Sequence, residues 1–431
     1  MTAASLPLPR PVSGADLTAH VSDEPVALLQ LDVSDTAEAA SAVYREVRRG
    51  RRVVAVASGG VDASARLAEA LDLIGVTTAR PEPGQALLNA PVSIVAGPET
   101  AIAHPRTIPA RPLRVALAGC GVVGGGVLAR LSTDDRFEVV GVLVRDPKKP
   151  RDPAVPGALL LADPAALLAR EPDVLVEAIS DASTGLALIR AALSRGVDVV
   201  SANKQAVGGD PAALTALAEA HEARLLYSAS VGGGSPLIET VRRARAHGPV
   251  VRIEAVLNGT CNFILNRLAA GVAFDEALIA ARDAGFAEED PTADLSGLDA
   301  SAKLAILAHE ALDGGISPER IARETLSADA ALLPGRVRQL SRLDVRTDSA
   351  AVAFTAVDGD SLFADLPDEW NALRVTTGDG RVFTARGRGA GRIPTTESVW
   401  ADLTDLLASP SQRNAADRGP GRRRKCASVQ E

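Results

Sequence analysis

The sequence predicts an α/β protein: a Rossmann-type, doubly wound parallel sheet with an inserted α+β domain and a small N-terminal α/β segment. Between residues 113 and 245, short Val- and Leu-rich runs alternate with helical stretches, as in parallel strands joined by helices. Hydrophobic residues make up 46% of the chain but aromatic residues only 3%. Ala, Val, Leu and Ile must therefore build the core, as they do in parallel sheets covered by helices.

The first 112 residues predict strands and helices in the order β-α-β-α. We expect the strands at Pro25–Leu31 and Arg52–Ala57 and the helices at Thr36–Arg49 and Ala63–Leu73. Scattered prolines follow, and the stretch at 104–112 predicts a linker.

Five strands are expected in the Rossmann-type region: LRVALAG, FEVVGVLV, DVLVEAI, DVVSA and RLLYSAS. Beyond it, helices at Phe274–Ala284 and Leu298–Ala311 precede the strands AAVAFTAV and RVFTARG, and residues 395–408 predict a last helix with a threonine cap. We divide the chain into an N-terminal α/β segment with its linker at 1–112, a Rossmann-type domain at 113–245, an α+β domain at 246–386, a return loop and helix at 387–408, and a disordered tail at 409–431.

Composition excludes several classes of protein. The net charge of −8 argues against a nucleic-acid-binding protein, although residues 421–425 are basic. Three cysteines, an odd and sparse number, do not form a disulfide framework and favour a reducing cytoplasm. No apolar run reaches the length of a membrane span, the N-terminus lacks the pattern of a signal peptide, and no CxxC metal motif occurs.

A dinucleotide site is predicted at residues 113–131, where a strand runs into Gly119-x-Gly121-x-x-Gly124 and then a helix. The glycines permit a tight turn, a close approach of the backbone to a pyrophosphate, and close packing of helix on strand. Val122 and Val123 begin the helix, whose free N–H groups attract phosphates.

The second strand of this unit ends in Arg145 rather than in a lone acid. An acid at this place would bond a ribose 2′-hydroxyl, whereas an arginine accommodates a 2′-phosphate. Lys148 and Lys149 could assist, but Asp146 opposes this interpretation. The pattern favours NADP and leaves NAD open.

Residues 287–307 raise a question of their own, because five carboxylates precede a single lysine, Lys303. One interpretation is structural: Ser296 and Asp299 resemble a capping box, and Asp299 with Lys303 an exposed ion pair of about 0.2–0.5 kcal/mol. The other is a site that binds a ligand and moves a proton. Lys204, which follows a predicted strand, is either a surface lysine or a substrate contact at the ligand crevice.

Six motifs follow one another along residues 113–408: the glycine fingerprint at Gly119–Gly124, S-A-N-K at Ser201–Lys204, the glycine turn at Gly232–Pro236, N-G-T-x-N-F-I-L at Asn258–Leu265, E-x-D-P-x-x-D-x-x-G-x-D-x-x-x-K at Glu288–Lys303, and the glycine loop at Gly387–Gly391. In this order they resemble the homoserine dehydrogenase family. The last three motifs, in this order, are highly specific and favour the chemical interpretation of residues 287–307.

The resemblance implies reversible, NAD(P)H-dependent reduction of L-aspartate 4-semialdehyde to L-homoserine by a homodimer. It implies that Lys303 donates the proton, that Asp299 positions the substrate or Lys303, and that Lys204 lies near the nicotinamide and the reacting oxygen. Glu288 would bind the substrate's ammonium group; Asp290 and Asp294 match the family without an assigned role. The implied cofactor contacts are Gly119, Gly121, Val122, Val123, Gly124, Arg145, Ser180, Ser201, Asn203, Lys204, Asn258, Gly259, Thr260 and Gly391.

The resemblance also implies a monovalent cation (Na or K) near the second glycine turn. The matching positions are Ser228, Val231, Gly233 and Ser235. Ser228 stands where the family has a glutamate, and a neutral hydroxyl attracts a cation less strongly.

The chain departs from the family at both ends. Residues 50–71 faintly resemble an aspartate kinase but lack its K-F-G-G motif, so we expect a degenerate relic or a docking module. About 23 residues follow the last predicted helix, so we expect no regulatory domain there.

Two alternatives stay open at this point. A semialdehyde dehydrogenase with a cysteine thiolate would need Cys120 or Cys261 as nucleophile. A cofactor-binding sensor or inactive regulatory partner is the non-enzymatic alternative.

Overall fold

Three β-sheets organise the residues that the computed structural model describes, which are 26–79, 91–96, 111–328 and 335–408. The predicted linker at 104–112 falls mostly outside these residues, and the predicted tail at 409–431 falls wholly outside them. Within the described part of the chain, no helix has the length and apolarity needed to cross a membrane.

The N-terminal sheet has four parallel strands in the order β1-β2-β4-β3. The predicted β-α-β-α order is confirmed, and two further strands follow it. The core of this sheet is built from the apolar faces of its two helices, including Val43, Tyr44, Leu67 and Leu71. Its elements are β1 (Val26–Asp32), α1 (Thr36–Arg48), β2 (Arg52–Ser58), α2 (Gly60–Ile74), β3 (Thr78–Ala79) and β4 (Val92–Ala96).

The second sheet confirms the Rossmann-type prediction, with six parallel strands in the order β10-β9-β8-β5-β6-β7. The strand order reverses between β5 and β8, and ligands bind at such a switch point. Its elements are β5 (Leu113–Ala118), α3 (Val122–Leu131), β6 (Phe137–Leu143), β7 (Leu160–Leu161), α4 (Pro164–Leu168), β8 (Val174–Glu177), α5 (Ala182–Leu193), β9 (Asp198–Ser201), α6 (Lys204–Gly208), α7 (Pro211–Ala220) and β10 (Leu225–Leu226).

The last strand of this sheet is shorter than the run RLLYSAS suggests. Strand β10 ends at Leu226, and a 3₁₀ turn covers Ser228–Ser230. The backbone N–H of Ser228 donates to Asp402 Oδ2 at 3.1 Å instead of to a neighbouring strand. The strand thus ends where a contact with the distant residue Asp402 replaces strand pairing.

The third sheet is mixed and mostly antiparallel, in the order β12-β14-β13-β11-β15-β16. It confirms the predicted α+β region. Its strands are β11 (Val250–Val256), β12 (Ala322–Arg323), β13 (Arg336–Asp344), β14 (Ser349–Val357), β15 (Trp370–Thr377) and β16 (Val382–Arg388). The helices around it are α8 (Leu237–His247), α9 (Gly259–Ala269), α10 (Phe274–Asp283), α11 (Thr292–Leu295) and α12 (Leu298–Ala311).

The chain then returns to the Rossmann-type sheet through α13 (Arg392–Ala408). This helix begins three residues before the predicted threonine cap at Thr395. Trp400 on α13 is fully buried, and its ring lies 5.1 Å from that of Phe137. Helix α13 also packs against α3, the helix that follows the first glycine turn.

Candidate active site

The first glycine turn has the shape that a dinucleotide requires. Gly119 has a φ of +93°, and a Cβ added to it would lie 2.5 Å from Ala178 O. A Cβ on Gly124 would collide with Gly119 O, so only glycine lets α3 approach β5 this closely. A Cβ on Gly121 would meet nothing within 4 Å. The backbone at Gly121 therefore faces open space in which a pyrophosphate fits.

The start of α3 is suited to an anion. Gly121 caps this helix without any side-chain hydrogen bond, which leaves the first backbone N–H groups available. Val122 is 67% exposed, an unusual exposure for a large apolar side chain, whereas Val123 is half-buried. The exposure of Val122 beside these N–H groups is consistent with a surface that a bound cofactor would cover.

Arg145 and Ser180 lie exposed just after strands β6 and β8, at the carboxyl edge of the sheet. Next to Ser180, Asp181 caps α5. Hydrogen bonds from Thr184 lower the pKa of Asp181 to about 2, and Arg145 adds a smaller electrostatic effect. Arg145 therefore acts on the same corner of the crevice as Ser180.

A buried glutamate that the sequence prediction missed, Glu177, organises the next part of the site. Ser201 Oγ donates to Glu177 Oε2 at 2.6 Å, and Ile179 N donates to Glu177 Oε1 at 2.9 Å. Asn203 Nδ2 donates to Ile179 O at 2.9 Å and, at 3.3 Å, to Glu177 Oε1. Burial raises the pKa of Glu177, and its hydrogen bonds only partly offset this effect. The signal in the sequence was Glu177 itself, an acid that interrupts the apolar run of the predicted strand DVLVEAI.

The same network positions Lys204. Asn203 Oδ1 accepts from the N–H groups of Gln205 and Ala206, which makes Asn203 the N-cap of α6. Lys204 is the first residue of that helix. Ala178 packs against Gly119, and Ile179 O accepts a hydrogen bond from Asn203. The segment after β8 therefore connects the glycine turn to Lys204.

Asp299 joins the two predicted lysines. Lys204 Nζ bonds Asp299 Oδ1, and Lys303 Nζ lies 2.8 Å from Asp299 Oδ2. Lys303 Nζ also donates to Leu257 O at 2.8 Å. Asp299 is buried, whereas the side chains of Lys204 and Lys303 are 35% and 12% exposed. We call these three residues the lysine cluster.

The capping box predicted at Ser296 and Asp299 is absent, and the predicted Asp299–Lys303 ion pair is present but not exposed. The N-cap of α12 is Gly297, with no side-chain cap, and Ser296 Oγ has no hydrogen-bond partner. Gly297 has a φ of +73°, so the chain enters the helix through a left-handed residue instead of a serine cap. Burial alone would raise the pKa of Asp299, but Lys303 and Lys204 outweigh it and hold that pKa well below its usual value. The pair with Lys303 is a buried contact and not an exposed one.

Asn258 and Thr260 connect the cluster to the loop before α12. Asn258 Nδ2 donates to Asp299 Oδ2 at 2.9 Å and to Asp294 Oδ1 at 2.6 Å. Thr260 Oγ1 donates to Phe286 O at 2.5 Å and lies 3.3 Å from Asp294 Oδ2. Burial raises the pKa of Asp294. Asp294, to which the sequence assigned no role, thus holds this loop against α9.

Three other predicted residues lie outside these contacts. Glu288 is exposed on the loop between α10 and α11. Gly259 begins α9, where an added Cβ would lie 3.4 Å from Glu369 Cα, and Gly391, with a φ of +120°, lies beside Pro394 at the start of α13.

At the second glycine turn, where the cation positions were predicted, the side chain of Arg48 contacts Ser228. Ser228 Oγ accepts a hydrogen bond from Arg48 Nη2 at 2.7 Å and donates to Asp402 Oδ1 at 2.8 Å. Val231, Gly233 and Ser235 follow in the same buried turn. Among the described residues, no group of three or more His, Cys, Asp or Glu side chains is arranged to hold a metal ion.

The two cysteines in the described part of the chain do not have the environment of a nucleophile. Cys261 is buried, and burial raises its thiol pKa further above the ordinary value, with Asp294 and Asp299 adding to the rise. Burial also raises the pKa of the Cys120 thiol. An activated cysteine needs a lowered pKa, so thiolate chemistry has no support here.

Together, the Rossmann-type sheet, the open glycine turn and the lysine cluster beside it define a nicotinamide-dependent oxidoreductase that acts on a carbonyl or an alcohol. A lysine cluster next to the dinucleotide turn can stabilise a developing alkoxide.

Comparison with known proteins narrows this class to one family. Family models described as "Homoserine dehydrogenase, NAD binding domain" and "Homoserine dehydrogenase" match residues 119–228 and 236–404. A homoserine dehydrogenase of Synechocystis sp. is 32% identical over 320 residues, which cover 68% of this chain and 73% of that protein. An NAD(+)-dependent homoserine dehydrogenase of Pseudomonas canavaninivorans is 32% identical over 252 residues, 54% of this chain and 70% of that protein.

The fold agrees with this result. The crystal structure of a homoserine dehydrogenase from Thiobacillus denitrificans has a TM-score of 0.63 and 32% sequence identity, and the match covers 70% of this chain and 76% of that one. The chain belongs to the homoserine dehydrogenase family and is an NAD(P)-dependent oxidoreductase. The described residues before position 111 lie outside both matched regions.

Proposed function

We propose that the lysine cluster performs the family reaction, the reversible NAD(P)H-dependent reduction of L-aspartate 4-semialdehyde to L-homoserine. The observation that carries the proposal is the short path from the glycine turn through Ala178 and Ile179 to Lys204. A nicotinamide cofactor bound at that turn supplies or accepts the hydride. The lysines then lie where charge develops on the substrate oxygen.

The two lysines have separate roles in this proposal. Lys303, held by Asp299 and Leu257 O, donates the proton to the alkoxide during reduction and accepts it during oxidation. Lys204, the more exposed of the two, orients the reacting oxygen. With both lysines charged and Asp299 ionised, the cluster carries one net positive charge, which stabilises an oxyanion.

We propose that Glu288 binds the ammonium group of the substrate. The carboxylate is exposed on the loop that Thr260 holds at Phe286 O. Because no ion pair is described for Glu288, its carboxylate can pair with the ammonium group of a ligand without breaking an existing contact.

We propose that the cofactor is NADP, with Arg145 contacting the 2′-phosphate. The basic residues Lys148 and Lys149 follow Arg145 on the same exposed loop, while a relative in the family is NAD(+)-dependent. Replacement Arg145→Ser is expected to raise the KM for NADP about tenfold, equivalent to about 1.4 kcal/mol, and to leave the KM for NAD nearly unchanged. An equal effect on both cofactors would contradict this assignment.

The whole function is tested by homoserine-dependent reduction of NADP and NAD at alkaline pH, followed by absorbance. We expect turnover, with NADP the faster cofactor. Folded protein that binds NADP but shows no turnover with either cofactor would favour the sensor alternative.

We further propose a homodimer in the cytoplasm that acts on a small-molecule substrate without nucleic acid or membrane. The family resemblance supports the dimer, and the free cysteines Cys120 and Cys261 support a reducing compartment. The mass of the purified protein in solution tests the dimer. A monovalent cation at Ser228, Val231, Gly233 and Ser235 would share its place with the Arg48 guanidinium, so the proposed mechanism does not include it.

A further inference from the structure

Arg48 is a buried cation that comes from outside the regions matched by the family. It is the last residue of α1, in the N-terminal sheet, and is only 5% exposed. Its guanidinium reaches the segment around residues 228–236, where the two family matches meet. We call residues 228–236 the junction turn.

One guanidinium ties three elements together. Arg48 Nη2 donates to Ser228 Oγ at 2.7 Å, at the beginning of the junction turn, and to Asp402 Oδ1 on α13 at 2.6 Å. Arg48 Nε donates to Glu239 Oε1 on α8 at 3.0 Å. Asp402 in turn accepts from both the hydroxyl and the backbone N–H of Ser228.

These carboxylates need a positive charge. Burial alone would raise the pKa of Glu239, but the charge of Arg48, together with hydrogen bonds that include one from Ser228, holds that pKa below its ordinary value. Burial raises the pKa of Asp402, and Arg48 offsets part of the rise. A buried carboxylate without a partner costs several kcal/mol, so removal of Arg48 leaves a site that attracts another cation.

A second contact from the same helix fixes the junction turn. The Tyr44 hydroxyl donates to Gly234 O at 2.7 Å, and both groups are buried. A Cβ on Gly234 would lie 2.9 Å from Ile74 O of α2 and 2.5 Å from Pro394 Cβ of α13. The junction turn is therefore held between the N-terminal segment and the start of α13.

The held elements adjoin the cofactor helix. A Cβ on Gly126 of α3 would collide with Thr396 of α13, so the two helices are in close contact. A displacement of α13 would consequently reach α3 and the glycine turn. Packed neighbours thus connect Arg48 to the cofactor helix, although its described contacts do not include the cofactor turn.

We propose that Arg48 is a positioning residue that supplies, from the N-terminal segment, the positive charge for which the family resemblance implies a monovalent metal ion at the junction turn. Catalysis is then independent of sodium and potassium. Guanidinium stays charged at every physiological pH and binds several oxygens at fixed angles, as a bound ion would. The effect on catalysis rests on the proposed function; the charge at the turn does not.

The test compares wild type, Arg48→Ala and Arg48→Lys in a potassium titration, with tetramethylammonium chloride keeping the ionic strength constant. Wild-type kcat is expected to stay flat. Without potassium, Arg48→Ala is expected to lose about tenfold in turnover, the size of effect that acts through packed neighbours. Added potassium or guanidinium chloride should restore most of it, and Arg48→Lys should fall between the two. A purely structural arginine gives no such rescue in a protein that circular dichroism shows to be folded.

Arg49→Ala is the matched control. Arg49 is the next residue and also pairs with α13, through Asp405 at 3.2 Å, but its side chain is 45% exposed and does not reach the junction turn. Its turnover should equal that of wild type with and without potassium.

Three results would overturn the proposal: potassium activation of the wild type, unchanged and potassium-insensitive turnover of Arg48→Ala, or a loss of turnover in folded Arg48→Ala that neither potassium nor guanidinium restores. The potassium titration of the wild type can still contradict the proposal if Arg48→Ala does not fold. If the wild type lacks homoserine turnover, the readout is thermal stability, where potassium should raise the Tm of Arg48→Ala and leave that of the wild type unchanged. Equal Tm shifts in both proteins would contradict an internal cation.

Discussion

At the scale of single residues, the site depends on Asp299. Its two carboxylate oxygens bind different lysines, and Asn258 shares one of them. Replacement Asp299→Asn keeps the size but leaves Lys204 and Lys303 facing each other without a negative charge. We expect a loss of about 3–5 kcal/mol in the free energy of unfolding at neutral pH, the cost of breaking a buried ion pair, together with a large loss of turnover.

The pH dependence of this difference has a defined sign. The pKa of Asp299 is lowered in the folded protein, so its contribution to stability is present above the ordinary carboxyl pKa. The contribution is lost as the pH falls through the lowered pKa of the folded state. Urea unfolding of wild type and Asp299→Asn should therefore show a gap that narrows only in strong acid. Replacement Asp290→Asn, at an exposed carboxylate on the loop before α11, should show no comparable gap.

Site residues were predicted correctly where they belong to a short sequence motif. They were missed where their role depends on partners that are distant in sequence. Lys204, Asp299 and Lys303 are together, as expected. Glu177 was missed because its partners, Ser201 and Asn203, are 24 and 26 positions away. The Ser296 cap was wrong because the spacing of a capping box does not reveal the left-handed conformation of Gly297.

At the scale of elements, a methyl group added to the first glycine turn should have different effects at two positions: weaker cofactor binding at Gly121 and lower stability at Gly124. Gly121 has an ordinary φ of −92°, and its Cβ would meet nothing, so Gly121→Ala should fold with unchanged Tm but bind NADPH at least about tenfold more weakly. Gly124→Ala should lose stability instead, because its Cβ collides with Gly119 O. Thermal unfolding and NADPH fluorescence titration of both variants check this pair. Equal NADPH affinity of Gly121→Ala and wild type would contradict the assigned cofactor turn.

Strands β5, β6, β8, β9 and β10 of the parallel sheet were predictable because each contains a short apolar run, but strands β11, β13 and β15 were not. Glu254 on β11 pairs across the sheet with Arg342 on β13 and Arg374 on β15. The carboxylate lies 3.4 Å from Arg342 and 3.7 Å from Arg374. In the sequence alone, these charged residues resemble those of a solvent-exposed segment, because their partners lie on strands that are distant in sequence. The strands that carry them were therefore not recognised.

At the scale of the whole molecule, the N-terminal segment is part of the folded body. Tyr44, Arg48 and Arg130 all bridge it to the remainder; Arg130 reaches Glu397 on α13 at 2.5 Å and Ser41 on α1 at 3.0 Å. The faint kinase resemblance of residues 50–71 gave no indication of these contacts, because they depend on partners about 90 to 350 positions away.

Tyr44→Phe tests this integration. The change removes the donor for the buried Gly234 O and should lower the free energy of unfolding of the whole chain by about 1–3 kcal/mol. The midpoint of urea unfolding measures it. Loss of an exposed hydroxyl in Thr133→Ala should change the midpoint little. An unchanged midpoint in Tyr44→Phe would mean that the segment contributes nothing through this contact.

The most direct test of the account is the turnover of Lys303→Ala, measured with homoserine and NADP beside the NADPH affinity of the same protein. We expect kcat to fall about 10²–10⁴-fold, the usual contribution of a positioned acid, with NADPH affinity and the circular dichroism spectrum unchanged. Asp299 keeps Lys204 as its partner in this variant, so the fold should persist. Turnover close to that of the wild type would contradict the assignment of the proton to Lys303.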